Sequence, residues 1–337
     1  MSSVTSVRIP QGTELVSARL QNRDLPQILG FLGFLTIILT ALVFGLTILS
    51  VDYTCFHVAA TLAAVENSNP TTEVCLNRED SNDFFETDDT DANTTLRSKP
   101  ITNGLASTIK HLRARGGIWS CFRGFRMYLA FSGFDMGVGL FILFIIPIPT
   151  PTYSLLGGTF RGFVASMSLA TWQMAWVHLV IADKSPRSSF RRMLGLRNWP
   201  KIAPAAALYN FFIPRLEGDF RSLAPIICMI ILTLLISNPA KAIFIRVAAS
   251  MLPEEDDPMV PFDRRFGGKA KPDTIGGSGT LGLKDAWTTF EWHSRIRYAK
   301  IVLKASAIEL ALVIVGLLLI IGEMMLVIPR SKYSSHS

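Results

Sequence analysis

The chain has little cysteine, and none of it has the spacing of a metal site. Its four cysteines stand at positions 55, 75, 121 and 228 of 337 residues, too far apart to form a structural zinc site. Only Cys55 and Cys75 are placed to pair with each other, and only in an oxidising compartment. The sequence therefore predicts no metal.

Phosphate-binding and catalytic patterns are also missing. The glycine-rich segment 276–282 is followed by Leu283, and its lysine comes one position late for a phosphate loop, so a flexible linker is expected. No Ser-His-Asp order and no pair of carboxylates stands at catalytic spacing. These absences predict no cofactor and leave only a membrane-embedded enzyme acting on a lipid-like substrate as a minor alternative.

Long apolar runs are abundant instead. The chain is 49% hydrophobic, with a mean hydropathy of +0.35, and Ile28–Val51 contains no charged residue. Such a run is long enough to cross a bilayer core of about 30 Å. The formal charge of +7 lies mainly between apolar runs, where cations orient a membrane protein, so no nucleic-acid partner is predicted.

Six spans account for the charges better than five. The counted spans are 28–51, 126–149, 155–182, 202–214, 223–237 and 301–329. They place three long loops (52–125, 183–201 and 239–298) on one side, whereas omitting 202–214 scatters the charges over both sides. Residues 1–27 are then an N-terminal polar segment, 28–329 a single membrane domain, and 330–337 a C-terminal tail.

One motif precedes the second span. Gly117 is followed after four residues by Phe122, Arg123 and Gly124, a pattern typical of a short surface helix that turns into a membrane span. The pattern recurs with Gly282 before Trp287, and more weakly with Gly195 before Trp199. The chain is thus predicted to be an all-α integral membrane protein, with six helices in three two-helix repeats (28–149, 152–216 and 222–329).

These motifs resemble those of the mitochondrial carrier family, in which a proline-acid-base signature ends each odd helix and a Gly-x4-aromatic-base-Gly signature precedes each even helix. Pro239 with Arg246 matches the ends of the first signature, and Pro186 with Arg191 matches in part. Lys241 and Ser188 replace the acids, and Ser50-Val51-Asp52 keeps the acid without the proline.

The resemblance implies a pseudo-threefold bundle, a mitochondrial inner membrane and transport of a small solute. In the family, the acids and bases form an ion-pair ring that closes one side of a central cavity, and this chain keeps one acid of three. A non-transporting adaptor or receptor that binds a protein partner through its long loops is therefore the alternative function. The sequon at Asn93 and the pair Cys55 and Cys75 would instead fit the endoplasmic reticulum or another endomembrane.

Charged residues inside the spans are the candidate substrate-binding residues. Asp135 lies near the middle of its span, and Glu309 lies either well inside the last span or near its edge. Arg161 is placed either to pair with Asp135 or to receive an anionic substrate. His178 is expected to be an interhelical hydrogen-bond donor, because no second histidine or cysteine stands at metal spacing. The basic run from Lys184 to Lys201 predicts contact with anionic lipid headgroups.

Overall fold

The described part of the chain folds into helices and one short β ribbon. We describe residues 12–67, 100–145, 162–184, 198–211, 223–270 and 279–334 of a computed structural model. The α-helices are α1 Gly12–Asp52, α2 Ala60–Val65, α3 Leu105–Gly116, α4 Phe125–Ile145, α5 Gly162–Ser168, α6 Ala170–Ile181, α7 Trp199–Phe211, α8 Leu223–Leu232, α9 Asn238–Ser250, α10 Leu283–Thr288 and α11 Trp292–Ser334. Strands β1 Ala182–Lys184 and β2 Asp257–Pro258 pair antiparallel, with Ala182 opposite Pro258.

The chain divides into two compact units. One consists of α1 and the part of α11 from Ser306 onward. Within it the Thr40 hydroxyl donates a hydrogen bond to Glu323 Oε1 at 2.7 Å. Gly316 faces Phe44, and a Cβ built on this glycine would lie 3.0 Å from Phe44 Cδ1. Close packing at a small residue and one polar contact are typical of paired membrane helices.

The second unit, Tyr53–Ala305, contains the packed core. Here α2, α6 and α9 contact one another, and α7 packs against both α6 and α9. The faces in contact are rich in alanine and valine, which permit close approach of the helices. Large side chains such as Leu62, Ile181 and Phe244 fill the remaining space and are fully buried.

Interruptions occur in the helices that lead into this core. A π-helical segment, Tyr53–Ala59, joins α1 to α2, and a second, Thr233–Ser237, joins α8 to α9. The third break is at Leu169, where α5 and α6 meet at a bend of 62°. Each break therefore lies between an apolar segment and one of the core helices α2, α6 and α9.

Two predicted loop boundaries are wrong. The loop 52–125 was expected to start at Asp52, but the helix continues to Val65 because the small apolar residues after Val58 are buried in the core. The loop 239–298 was expected to start at Pro239. This proline instead lies in the first turn of α9, where its missing N–H is tolerated, and α9 continues to Ser250. The last helix also begins earlier than predicted, at Trp292 rather than Ile301.

Candidate membrane-spanning helices are present among the described residues. Among the described residues, Phe31–Val65, Ile230–Ser250 and Trp292–Leu326 are long and apolar enough to cross a bilayer, and the bent pair α5 and α6 makes a fourth if it is one span. Many large apolar side chains on these helices are exposed, including Phe31 and Met325, and so are several on α4, including Phe144. A mostly helical chain with candidate membrane-spanning helices is confirmed, while the six-span, three-repeat arrangement stays a prediction.

Candidate functional site

The glycine-aromatic-cation motif forms a corner beside the end of α6. Gly117 ends α3 at φ +66°, and a 3₁₀ turn, Ile118–Phe122, delivers the chain to Arg123. Arg123 donates from Nη1 to the carbonyl oxygen of Ala182 at 2.6 Å, and from Nη2 to the carbonyl oxygen of Asp183 at 2.9 Å. The cation of the motif thus satisfies carbonyls just beyond the carboxyl end of α6, where positive charge is favourable.

Gly124 is a glycine because of what lies against it. Its φ is +75°, and a Cβ there would lie 3.3 Å from both Trp176 Cδ1 and the Tyr53 hydroxyl oxygen. That hydroxyl donates to the Arg123 carbonyl oxygen at 2.5 Å and accepts a hydrogen bond from Trp176 Nε1 at 3.1 Å. Tyr53 therefore holds the motif close to two helical segments, its own π-helical segment and α6.

Asp183 is held between two arginines. Its Oδ2 lies 3.0 Å from Arg115 Nη1, and its Oδ1 lies 3.2 Å from Arg123 Nη2. Partial burial raises the pKa of Asp183, but the hydrogen bond from Arg115 and the charge of Arg123 more than offset this, so the pKa lies below its usual value. Asp183 stays ionised at neutral pH and fixes α3 to the end of α6.

Arg246 occupies the centre of the core and is 5% exposed. Its Nη1 donates to the carbonyl oxygen of Ala64 in α2, its Nε to that of Ala286 in α10, and its Nη2 to the Thr289 hydroxyl, each at 3.0 Å. The guanidinium carbon also lies 4.6 Å from the centre of the Phe266 ring. One buried arginine thereby joins three parts of the chain.

Like Arg246, Lys241 and His178 contact backbone carbonyl oxygens of neighbouring helical segments in the core. Lys241 Nζ donates to the carbonyl oxygen of Phe56, in the first π-helical segment, at 2.9 Å. His178 Nε2 lies 2.8 Å from the carbonyl oxygen of Ala248, which is the interhelical hydrogen bond that the sequence predicts. We refer to Lys241, Arg246 and His178, with their carbonyl acceptors, as the helix-end cluster.

Glu66 directly follows α2 and holds the end of this core helix, although it is not part of the helix-end cluster. The carboxylate accepts hydrogen bonds from the backbone N–H groups of Ile101 and Thr102, at 2.6 and 2.9 Å, and from the Thr102 hydroxyl. Arg297 Nη2 donates to the backbone carbonyl oxygen of Glu66 at 3.0 Å, and Arg297 Nη1 lies 3.9 Å from Glu66 Oε2. A buried acid and a buried base are therefore paired where α2 ends.

A polar pocket of about 340 Å³ opens beside these groups. Its charged lining residues are Glu66, Arg246, Asp263 and Glu291. Asp263 accepts hydrogen bonds from the N–H groups of Arg265 and Gly267, which holds the loop at one wall of the pocket. Among the described residues, no group of three or more metal-ligating side chains is present.

The predicted substrate-binding residues Asp135 and Glu309 belong to different units of the chain. Asp135 accepts a hydrogen bond from the Ser166 hydroxyl at 2.8 Å, between α4 and α5. Glu309 is half-buried on α11, in the other unit. Arg161, Pro186 and Arg191 lie outside the described residues, as do Cys75, Asn93 and Gly195.

In the segment that the sequence predicts to be a copy of the motif, an arginine eight residues further along the chain contacts the aromatic residue. Gly282 precedes α10, and its carbonyl oxygen accepts a hydrogen bond from Ala286. Thr288 follows Trp287 where the motif would have a cation, but the Arg295 guanidinium lies 4.0 Å from the Trp287 ring centre and Arg295 donates to the Trp287 carbonyl oxygen. The cation is thus supplied from the first turn of α11.

Sequence reasoning missed Glu66 and Arg297 and gave no partner for Lys241. Glu66 falls within the predicted loop 52–125, although it directly follows a run of small apolar residues. The acceptors of Lys241 and Arg246 are backbone carbonyls, which have no signature in sequence. The two basic residues themselves, on an apolar helix, were the available signal.

No protein-family model matches the chain, and neither the curated proteins nor the solved structures contain a match. The described residues themselves define a mostly helical chain with three candidate membrane-spanning helices.

Proposed function

We propose that the chain is a carrier-like membrane scaffold whose core helices are held closed, and that it acts as an adaptor or receptor rather than as an exchanger. The helix-end cluster carries this proposal. The resemblance to carriers implies a ring of acid-base pairs that opens and closes. In this chain Lys241 stands in the place of an acid and Arg246 in the place of a base, and both bind backbone carbonyls, Lys241 that of Phe56 and Arg246 that of Ala64.

A carbonyl acceptor changes how readily the helix ends can separate. It has no protonation state near neutral pH, and it cannot exchange one counter-charge for another. Separating α2, α6 and α9 would leave the carbonyls of Phe56, Ala64 and Ala248 without these donors. At about 1–3 kcal/mol for each buried group, the separation costs about 3–9 kcal/mol. The cluster therefore favours one closed arrangement.

Two features favour three repeats within this scaffold. The breaks before α2, α6 and α9 occupy equivalent positions, each one segment ahead of the core. A short helix also precedes both α4 and α11, and in each case an arginine accompanies the aromatic residue of the motif. In addition, α4 has 21 residues, about 30 Å of helix, which is enough to span a bilayer.

Cys55 offers a direct test, because it is 4% exposed and lies in the π-helical segment that Lys241 contacts. In vesicles, a chain with Cys75, Cys121 and Cys228 replaced by alanine is treated with a membrane-impermeant thiol reagent. We expect Cys55 to react at least about 100-fold more slowly than a cysteine at exposed Lys284 in the Cys55→Ala background, since about 3 kcal/mol of opening free energy corresponds to that factor. Comparable rates would show that the helix ends open, and the scaffold proposal would fail.

Transport of a small solute is the second candidate, favoured by Asp135. This carboxylate lies between α4 and α5 with the Ser166 hydroxyl as a hydrogen-bond donor, and acids inside membrane helices commonly serve transport. The discriminating variants are Asp135→Asn and Ser166→Ala in reconstituted vesicles. Solute uptake that is lost in the first and weakened in the second, with both proteins folded, would favour transport.

The partners and compartment follow from the same resemblance. We propose the mitochondrial inner membrane, with anionic lipid headgroups near the basic run, and an endomembrane as the alternative. The sequon at Asn93 separates them: a mobility shift on endoglycosidase treatment that disappears in Asn93→Gln would place the protein in the secretory system.

A further inference from the structure

An apolar groove of about 390 Å³ lies between the α8–α9 junction and the first three turns of α11. Its walls include Leu234, Pro239, Trp292, Ile296, Ala299 and Leu303. From Trp292 to Leu303 the groove follows twelve residues of helix, about 16 Å. Its volume is near the lower end of the range for small-molecule sites, which suits a single chain better than a two-chain lipid.

The two ends of the groove differ in polarity. Near its Trp292 end lies Arg295, and among the lining residues that the structure describes, this is the only charged one. Two N–H groups of Arg295 are used, by the carbonyl oxygens of Phe290 and Trp287. The remaining guanidinium N–H groups and the positive charge are available to an anion. Toward Leu303 the lining is aliphatic.

Asn238 adds a donor in the same groove. This residue is 9% exposed, and its Nδ2 has no hydrogen-bond partner among the described residues. Its own carbonyl oxygen accepts a hydrogen bond from the hydroxyl of Tyr298, a residue about one helical turn after Arg295, at 3.1 Å. A buried amide without a partner is costly, so an acceptor in the groove would stabilise it.

We propose that this groove binds a long-chain fatty acid as its carboxylate. Arg295 holds the carboxylate, Asn238 donates to it, and the chain lies against Ile296, Ala299 and Leu303. The planar guanidinium matches the geometry of a carboxylate, and no acid among the described lining residues opposes it. This site is independent of whether the scaffold transports.

Trp287 and Trp292 line the groove, so a quenching probe reports its occupancy. The full-length protein in nanodiscs of zwitterionic phosphatidylcholine is titrated with 9,10-dibromostearate, which quenches nearby tryptophan fluorescence. We expect saturable quenching by the acid and at least about tenfold weaker binding of its methyl ester, because the ester cannot accept a charge-assisted hydrogen bond. Trp292→Phe should remove part of the quenching signal, which would identify this groove as its source.

Two variants test the two ends of the groove. Arg295→Gln should weaken binding of the acid at least about tenfold and leave the ester unaffected. Ala299→Phe fills the groove, leaves Arg295 in place and should abolish saturable quenching, so it carries the test if Arg295→Gln does not fold. Arg265→Gln, at an exposed loop arginine that does not line the groove, is the matched control and should bind like the wild type.

Several results would overturn the proposal. Equal affinities for acid and ester would mean that Arg295 does not hold a carboxylate. Unchanged quenching in Ala299→Phe would mean that the chain lies elsewhere. Displacement of the probe by a small fraction of dioleoyl phosphatidylglycerol, but not by oleate, would assign the groove to a phospholipid.

Discussion

Lys241 of α9 donates a hydrogen bond to the carbonyl oxygen of Phe56, 185 residues earlier in the chain, at 2.9 Å. A carbonyl in the π-helical segment thus receives a charged donor from a neighbouring helix. Lys241→Met keeps the length of the side chain and removes the donor. We expect a loss of about 1–3 kcal/mol in the free energy of unfolding, measured by denaturation in detergent. Lys284→Met, at an exposed lysine, should leave stability within about 0.5 kcal/mol of the wild type.

Arg246 should be the most sensitive basic residue of the core. Arg246→Met deprives the carbonyl oxygens of Ala64 and Ala286 of their donor, so we expect about 2–6 kcal/mol of destabilisation. Arg246→Lys keeps the charge but cannot serve several acceptors in fixed directions, and should recover only part of this loss. Full recovery in the lysine variant would mean that charge alone, and not the fork of donors, holds the helix ends.

Gly124 and Gly268 separate backbone strain from packing. Both have positive φ, +75° and +77°, but a Cβ at Gly124 would meet Trp176 and Tyr53, whereas a Cβ at Gly268 would have no atom within 4 Å. Gly268→Ala should cost about 1–2 kcal/mol from strain, and Gly124→Ala should cost more. Thermal unfolding of the two variants measures the difference, and equal losses would contradict the close contact.

Asp183 should make stability depend on pH on the acid side. Because its pKa is lower in the folded protein than in the unfolded chain, the unfolded state binds a proton first as the pH falls. The stabilisation is therefore complete above the usual carboxyl pKa of about 4 and is lost as the pH falls through the lower folded value. Asp183→Asn should remove this component, so the difference in unfolding free energy between wild type and variant should shrink below about pH 4.

Gly316 and Gly322 test the packing of α1 against the end of α11. A Cβ at Gly316 would lie 3.0 Å from Phe44, and a Cβ at Gly322 would meet nothing within 4 Å. Gly316→Ala should therefore lower the thermal midpoint. Gly322→Ala should maintain or raise it, because alanine favours a helix by about 1 kcal/mol over glycine. A higher midpoint in Gly316→Ala would show that the two helices are not in close contact there.

Much of the helical layout was predictable, because apolar runs and interfacial motifs can be recognised from the residue types in the sequence. The motif at Gly117 and Arg123 indicated a short helix before α4, and the isolated His178 indicated an interhelical donor. The end of the first core helix was not predictable from the charge of Asp52, since burial of the following alanines decides it. The acceptors of Lys241 and Arg246 were also not predictable, because every residue has a carbonyl and only the packing selects which one is met.

The two π-helical segments also limit which single-residue deletions the protein can tolerate. A π turn holds one residue more than an α turn, so deleting one residue within Tyr53–Ala59 or Thr233–Ser237 would restore a regular α-helix. The downstream segment would then rotate by about 100° and move along its axis by about 1.5 Å. Lys241 and Arg246 would face away from their present acceptors. Single-codon deletions in these two short segments should thus be far less tolerated than deletions of the same size in the loops.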